Sequence, residues 1–208
     1  KQKSGLIAVS TDFQSSQQTM TLQQQYSDVV FSTIGWHPEQ RLATDEEKEA
    51  MYKWLEHKKF YAVGEVGLPY YTRQQKKLDE ARYLEDVTQW IQYASQQSLP
   101  VVLHTVYEDA ETILPILERY NIQRAQFHWL KAETKIIEQI VSNGYMISVT
   151  PEVVYRPKIQ KMLPFIPLDQ VRVETDGPWP FEGPFTKKRT EPHFVQSAIE
   201  YIATTYDM

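Results

Sequence analysis

Four side chains of metal-binding type occupy equivalent places along this chain: Glu65, His104, His128 and Asp176. Each stands at, or just past, the end of a short apolar and β-branched run. The runs are Tyr61 to Glu65, Pro100 to His104, Ala125 to His128 and Val171 to Asp176. A loop and a helix-like stretch follow each of them. Imidazole nitrogens and carboxylate oxygens together ligate divalent ions such as Zn, Mn or Fe. In a parallel barrel all strand C-termini open onto one face, so residues far apart in sequence meet in one pocket. The pattern predicts a metallohydrolase on a TIM-like β/α barrel, with the four residues converging at its mouth.

Each residue also has a plainer reading. Glu65 lies between Gly64 and Val66-Gly67, where a carboxylate can approach an ion closely; it could instead cap a helix or pair with an arginine. His104 and His128 could each be core histidines bonded to a carbonyl, but two in the same place of successive units weigh against that. Asp176 precedes Gly177-Pro178, an ordinary turn signal. Its other role is a ligand that takes a proton from a metal-bound water. Glu174 is read as structural support or as pointing elsewhere. His37, in Gly35-Trp36-His37-Pro38, again follows a strand and is assigned to substrate contact. His57 and His193 are read as peripheral. The aromatics Trp36, Tyr70, Tyr71, Trp129, Trp179 and Phe181 all follow strand ends and could stack on bases or sugars, or simply pack long loops. Among them Trp129 is assigned to substrate binding.

The elements that position these residues alternate. Strands are predicted over Leu6–Ser10, Val29–Gly35, Phe60–Glu65, Val101–His104, Ala125–His128, Tyr145–Val149 and Val171–Glu174. Helix-like stretches separate them. Thr44-Asp45 caps a helix reaching Lys58, with acidic residues in its first turn. Gln75 to Gln97 is amphipathic, with Leu78, Tyr83, Leu84, Val87, Ile91 and Ala94 at helical spacing. Further helices are predicted over 109–120, 132–143, 156–163 and 190–206, and Asn143-Gly144 is a helix stop. Such alternation implies βαβ units and a parallel sheet. No glycine-rich phosphate loop follows any strand, and the metal-type residues are spread over many strands, so a barrel is favoured over an open sheet. A closed barrel has eight strands. The expectation is one domain over residues 1–208, with the first strand of the barrel missing from the chain.

Composition sets outer bounds. The 208 residues suffice for one large domain with a sizeable core. There are no cysteines, which excludes disulfides and thiolate ligands and fits a cytoplasmic location. A net charge of −5 argues against a broad basic surface, although bound divalent ions can neutralise phosphate locally. No apolar run approaches a membrane span, and nothing in the sequence points to a protein partner.

In order along the chain, Gly35-Trp36-His37-Pro38, Gly64-Glu65-Val66-Gly67-Leu68, Pro100 to His104, Phe127-His128, Glu174-Thr175-Asp176-Gly177-Pro178 and Lys188 to Pro192 resemble the TatD-type metal-dependent deoxyribonucleases. The resemblance spans nearly the whole chain. It implies a TIM-like barrel of the amidohydrolase superfamily that hydrolyses phosphodiesters with two divalent ions, which could be Zn, Mn, Mg, Fe or Ni. Carried over by position, Glu65 bridges the ions, His104 and His128 hold the second, and Asp176 stands at the first and acts as base. DNA or another phosphoester is the implied substrate. The chain departs from the family's pattern in four places. The His-x-His pair of the family's first strand is absent. Pro69 replaces an aspartate, Val106 replaces an arginine, and Trp129-Leu130-Lys131 replaces a small-residue turn. The last two touch the substrate side, so another ester, lactone or amide substrate is the alternative, as is a barrel that has lost catalysis. Glu65 stands where some amidohydrolases carry a carbamylated lysine, which favours the phosphodiesterase.

Overall fold

The computed structural model describes residues 5–208. It divides into two compact units with the boundary after Ala125, and each is described by itself.

In the first unit, strands β1 (Leu6–Ala8), β2 (Val30–Ile34), β3 (Ala62–Gly67) and β4 (Val101–His104) run parallel and pair in chain order. Helix α1 (Phe13–Gln25) connects β1 to β2, α2 (Asp45–His57) connects β2 to β3, and α3 (Tyr70–Gln75) and α4 (Glu80–Gln96) connect β3 to β4. Helix α5 (Asp109–Arg119) follows β4. Strands covered on both faces read as continuous apolar runs, and Val101, Val102 and Leu103 are all buried. Behind them lie Met51 and Leu55 of α2, Val87, Trp90, Ile91 and Ala94 of α4, and Ile113 and Leu117 of α5.

Helix α2 starts where the sequence predicts. The Thr44 hydroxyl accepts from the Glu47 N–H at 3.2 Å, and the Glu47 carboxylate accepts from the Thr44 N–H at 2.8 Å, a reciprocal capping box. The amphipathic stretch predicted from Gln75 to Gln97 is not one helix. Helix α3 ends at Gln75, Lys76 is extended at φ −148° and ψ 153°, and α4 begins only at Glu80. The apolar spacing marks the buried face of α4, but local backbone at Lys76 breaks the continuity.

Two features of β3 bear on where Glu65 and His104 stand. Its register against β4 shifts between Val63 and Val66, an irregularity that re-aims side chains, and Glu65 lies within it. At Gly67 a Cβ would fall 1.9 Å from the His104 carbonyl oxygen. Only glycine lets β3 approach β4 this closely at the residue that ends β4.

In the second unit, β5 (Ala125–His128), β6 (Met146–Val149) and β7 (Val171–Val173) are parallel, with Phe127 opposite Ile147 and Val149 opposite Val173. Helix α6 (Thr134–Ser142) connects β5 to β6. A 3-10 turn (Pro151–Val154), the short α7 (Pro157–Gln160) and two further 3-10 turns connect β6 to β7. The helix predicted over 156–163 is thus a single turn, closed by a tighter bond from the Met162 N–H to the Ile159 carbonyl at 3.1 Å. Likewise α8 (Val195–Thr205) starts later than Thr190, after a 3-10 turn at Pro192–Phe194. The core joins Phe127, Ile137, Ile140, Ile147, Leu163 and Ala198. A satellite cluster of Phe181, Phe185 and Phe194 packs against Trp129, Val154 and Tyr155.

No helix among the described residues is long and apolar enough to cross a membrane.

Candidate metal centre

In the first unit, β2, β3 and β4 deliver three side chains to one place. Oε1 of buried Glu65 lies 3.0 Å from Nδ1 of His104 and 3.6 Å from Nε2 of His37. The His37 and His104 rings are 4.5 Å apart, tilted by 57°. One ligand atom from each of His37, Glu65 and His104 lies within 4.8 Å of the others. Two imidazoles and a carboxylate at that spacing fit a divalent ion of borderline hardness.

The ring nitrogens of His37 are differentiated. Nδ1 accepts from the Glu39 backbone N–H at 3.2 Å, so a neutral ring carries its proton on Nε2, facing Glu65. His104 lies between two carboxylates, with Glu65 on Nδ1 and Oε1 of Glu39 3.3 Å from Nε2. Glu39 was not among the residues singled out in the sequence. Its carboxylate also accepts from the N–H groups of Tyr71 and Thr72 at the start of α3, at 2.8 and 2.7 Å. Burial works to raise its carboxyl, but the hydrogen bonds from His104, Thr72 and the two amides outweigh it and hold the group at about 2. An acid two residues after a strand-end histidine was the available signal.

Glu65 is positioned by a buried hydroxyl network. The Thr33 hydroxyl donates to the Gly64 carbonyl at 2.5 Å and accepts from the Ser10 N–H at 3.1 Å. Ser10 Oγ donates to the Thr33 carbonyl at 2.9 Å, and the Glu65 N–H donates to the Ser10 carbonyl at 2.8 Å. These bonds tie the irregular segment of β3 to the ends of β1 and β2.

Around this group the departures noted in the sequence take definite places. Pro69 stands at the N-terminal boundary of α3 and Val106 is buried, so neither offers a charge. Arg73 of α3 pairs with buried Asp109 at 2.7 Å. Burial pushes the Asp109 carboxyl up, and Arg73 opposes that.

In the second unit, β5 and the segment after β7 bring His128 and Asp176 together. Nε2 of His128 lies 3.5 Å from Oδ1 of Asp176, while Nδ1 lies 2.7 Å from Oε2 of Glu174. Oε1 of Glu174 accepts from the Trp129 N–H and the Ser148 hydroxyl, each at 2.8 Å. A histidine that donates Nδ1–H to a carboxylate presents the Nε2 lone pair, the usual arrangement behind a ligating imidazole. Glu174 is therefore structural support, as the sequence suggests, and the group it supports is His128. Asp176 has a left-handed backbone at φ 45°, as does Trp129 at φ 38°. Aspartate tolerates that region better than most residues.

The remaining candidates separate by exposure. Trp36 is buried, its indole donating to the Arg41 carbonyl, and Phe181 belongs to the satellite cluster. Tyr71 and Trp179 are exposed. His193 is exposed beside Glu191, and His57 lies in the exposed last turn of α2.

Comparison with known proteins agrees with this chemistry. A family model described as TatD related DNase matches residues 1–208. A Haemophilus influenzae protein named as an uncharacterized metal-dependent hydrolase is 37% identical over 182 residues, covering 86% of this chain and 72% of its own. Human deoxyribonuclease TATDN3 is 27% identical, covering 95% and 75%. The crystal structure of YJJV, a TatD homologue from Escherichia coli, superposes with a TM-score of 0.85 at 21% identity, covering 97% of this chain and 78% of that one. That likeness identifies the fold as the TIM-like β/α type expected from the alternation of strands and helices.

Proposed function

The chain belongs to the TatD related DNase family, and from that premise we propose that it is a divalent-metal-dependent hydrolase that cleaves phosphodiester bonds in DNA. The observation that carries this reading is the group of His37, Glu65 and His104, with ligand atoms within 4.8 Å of one another, drawn from the loop after β2, from within β3 and from the end of β4. The name of the human relative, a deoxyribonuclease, supports the substrate class.

The residues divide the work by their chemistry. Glu65 and His104 would hold one ion in the first unit, and His128 and Asp176 would hold another in the second, a division that follows the proximities within each unit rather than the assignment carried over by resemblance. A bound divalent ion supplies Lewis acidity and makes water a competent nucleophile near neutral pH. Asp176 would take the proton of the attacking water through whichever oxygen is left free by the ion, the role the resemblance implies for it. Glu174 keeps His128 in the tautomer that presents Nε2. His37, with Nδ1 engaged by the Glu39 amide and Nε2 turned toward Glu65, stands beside this pair, where it would complete the ligand group or contact the substrate. Trp129 lines the substrate side.

The test is the Asp176→Asn variant, which keeps the shape but cannot take the proton. Metal-dependent cleavage of a short single-stranded DNA should fall by roughly 10²–10⁴-fold, with ion content measured in parallel. Full activity in this variant with ions bound would remove Asp176 as base. A wild type that cleaves no phosphodiester with any divalent ion would remove the phosphodiesterase reading itself.

A further inference from the structure

Trp129 is held in place by four contacts. Its N–H is held by Glu174 at 2.8 Å, the same carboxylate that holds His128. Its indole N–H donates to Glu152 at 2.8 Å, and the Lys131 ammonium lies over its ring at 4.2 Å. Phe181 backs it, with ring centres 5.7 Å apart.

Trp179 stands against this fixed ring at 5.7 Å and 75°, edge to face. Its own N–H donates to the Asp176 carbonyl at 2.9 Å, and its carbonyl accepts from the Thr190 hydroxyl. Yet the side chain is 54% exposed. Phe181, two residues on, goes into the satellite cluster, whereas Trp179 projects beyond it. Two indoles at a near right angle are thus tied through the backbone to His128 and Asp176, one braced and one open to solvent. An indole left in water beside a candidate phosphoester site presents a flat π-surface to whatever adjoins the phosphate, and every nucleobase has a face to match it.

We propose that Trp179, braced by Trp129, stacks on the nucleobase next to the phosphate being cut. This inference rests on the phosphodiesterase reading above.

The experiment compares two short single-stranded oligonucleotides that differ only in carrying a base or an abasic analogue beside the phosphate that is cut, using the metal-loaded protein. The wild type should favour the base-bearing oligonucleotide by about tenfold in kcat/KM, expressed in KM, which is the size of one base–aromatic stack. In Trp179→Ala that ratio should collapse toward one, and Trp179→Phe should restore much of it. A ratio that persists in Trp179→Ala, or is absent in the wild type, overturns the proposal. A second measurement is independent of cleavage: an oligonucleotide titrated into the chelator-treated protein should quench tryptophan fluorescence, and Trp179→Ala should remove most of the quench. If the wild type cuts neither substrate, the phosphodiesterase reading fails, while quenching still decides the stacking. Quenching undiminished in Trp179→Ala counts against it.

Discussion

Nδ1 of His128 lies 2.7 Å from Oε2 of Glu174, and the other oxygen of that carboxylate holds the Trp129 amide and the Ser148 hydroxyl. One side chain thereby sets both the tautomer of a candidate ligand and the path of the chain just beyond it. The Glu174→Gln variant keeps the volume but loses the charge, and its amide can present N–H to Nδ1 and reverse the tautomer. Metal affinity or activity should fall by about 10–100-fold, the usual cost of losing such a partner. Equal affinity for Zn in wild type and variant, measured by titration, would show that Glu174 plays no such part.

His104 faces a carboxylate from each ring nitrogen, Glu65 on one side and Glu39 on the other. An ion taking either nitrogen must displace any proton held there, so metal uptake should release protons and weaken as pH falls. Calorimetric titration with Zn in two buffers of different ionisation enthalpy should give different heats, and His104→Ala should lower the metal content found by elemental analysis. Heats that match in both buffers, with unchanged content in the variant, would exclude His104 as a ligand.

Gly67 is set by contact with the strand beside it. A methyl group there would lie 1.9 Å from the His104 carbonyl oxygen, and backbone cannot swing aside as a flexible side chain can. Gly67→Ala should destabilise the fold by about 3 kcal/mol, the upper end of overpacking costs, and should weaken metal binding by moving His104 away from Glu65. Denaturant unfolding that shows no loss would mean that β3 and β4 separate freely.

Lys48 and Asp86 form an ion pair between α2 and α4, with both side chains largely buried. Removing one partner leaves an uncompensated charge, so Lys48→Met should cost about 3–5 kcal/mol at neutral pH. Burial already raises the Asp86 carboxyl above its ordinary 3.8, with Lys48 pulling the other way. Without Lys48 the rise is larger. A carboxyl raised in the folded state favours folding at low pH, and that contribution is lost as pH rises through the folded value. The gap between wild type and variant should therefore be narrowest below pH 3.8 and widen as the carboxyl ionises. A gap independent of pH in denaturant unfolding would remove Asp86 from the account.

Much of this protein is determined locally, and that part was legible. Val101 to His104 and Ala125 to His128 are strands with the bounds the apolar runs suggest, because burial on both faces demands such runs and a polar residue ends them. The start of α2 follows from Thr44 and Glu47, whose capping chemistry acts within one turn. His104 and His128 end their strands as expected, whereas Glu65, expected to end its strand, lies two residues inside β3, which runs on to Gly67. What tertiary structure alone decided depends on chain segments meeting across tens of residues. Nothing in the spacing of Glu39 places its carboxylate on His104, 65 residues on. The tautomer of His37 follows from a turn that folds the Glu39 amide onto its ring. The sequence marks Glu174 as a supporting residue without saying what it supports, and its partner His128 is 46 residues earlier. The long helix predicted through Lys76 failed for the converse reason: apolar periodicity records which face is buried, and an extended residue can interrupt the backbone without disturbing that record. Residue type and local pattern determine which groups could do chemistry. Which oxygen meets which nitrogen is decided by strand register and the closeness of neighbouring backbones, and these exist only once the sheet has formed.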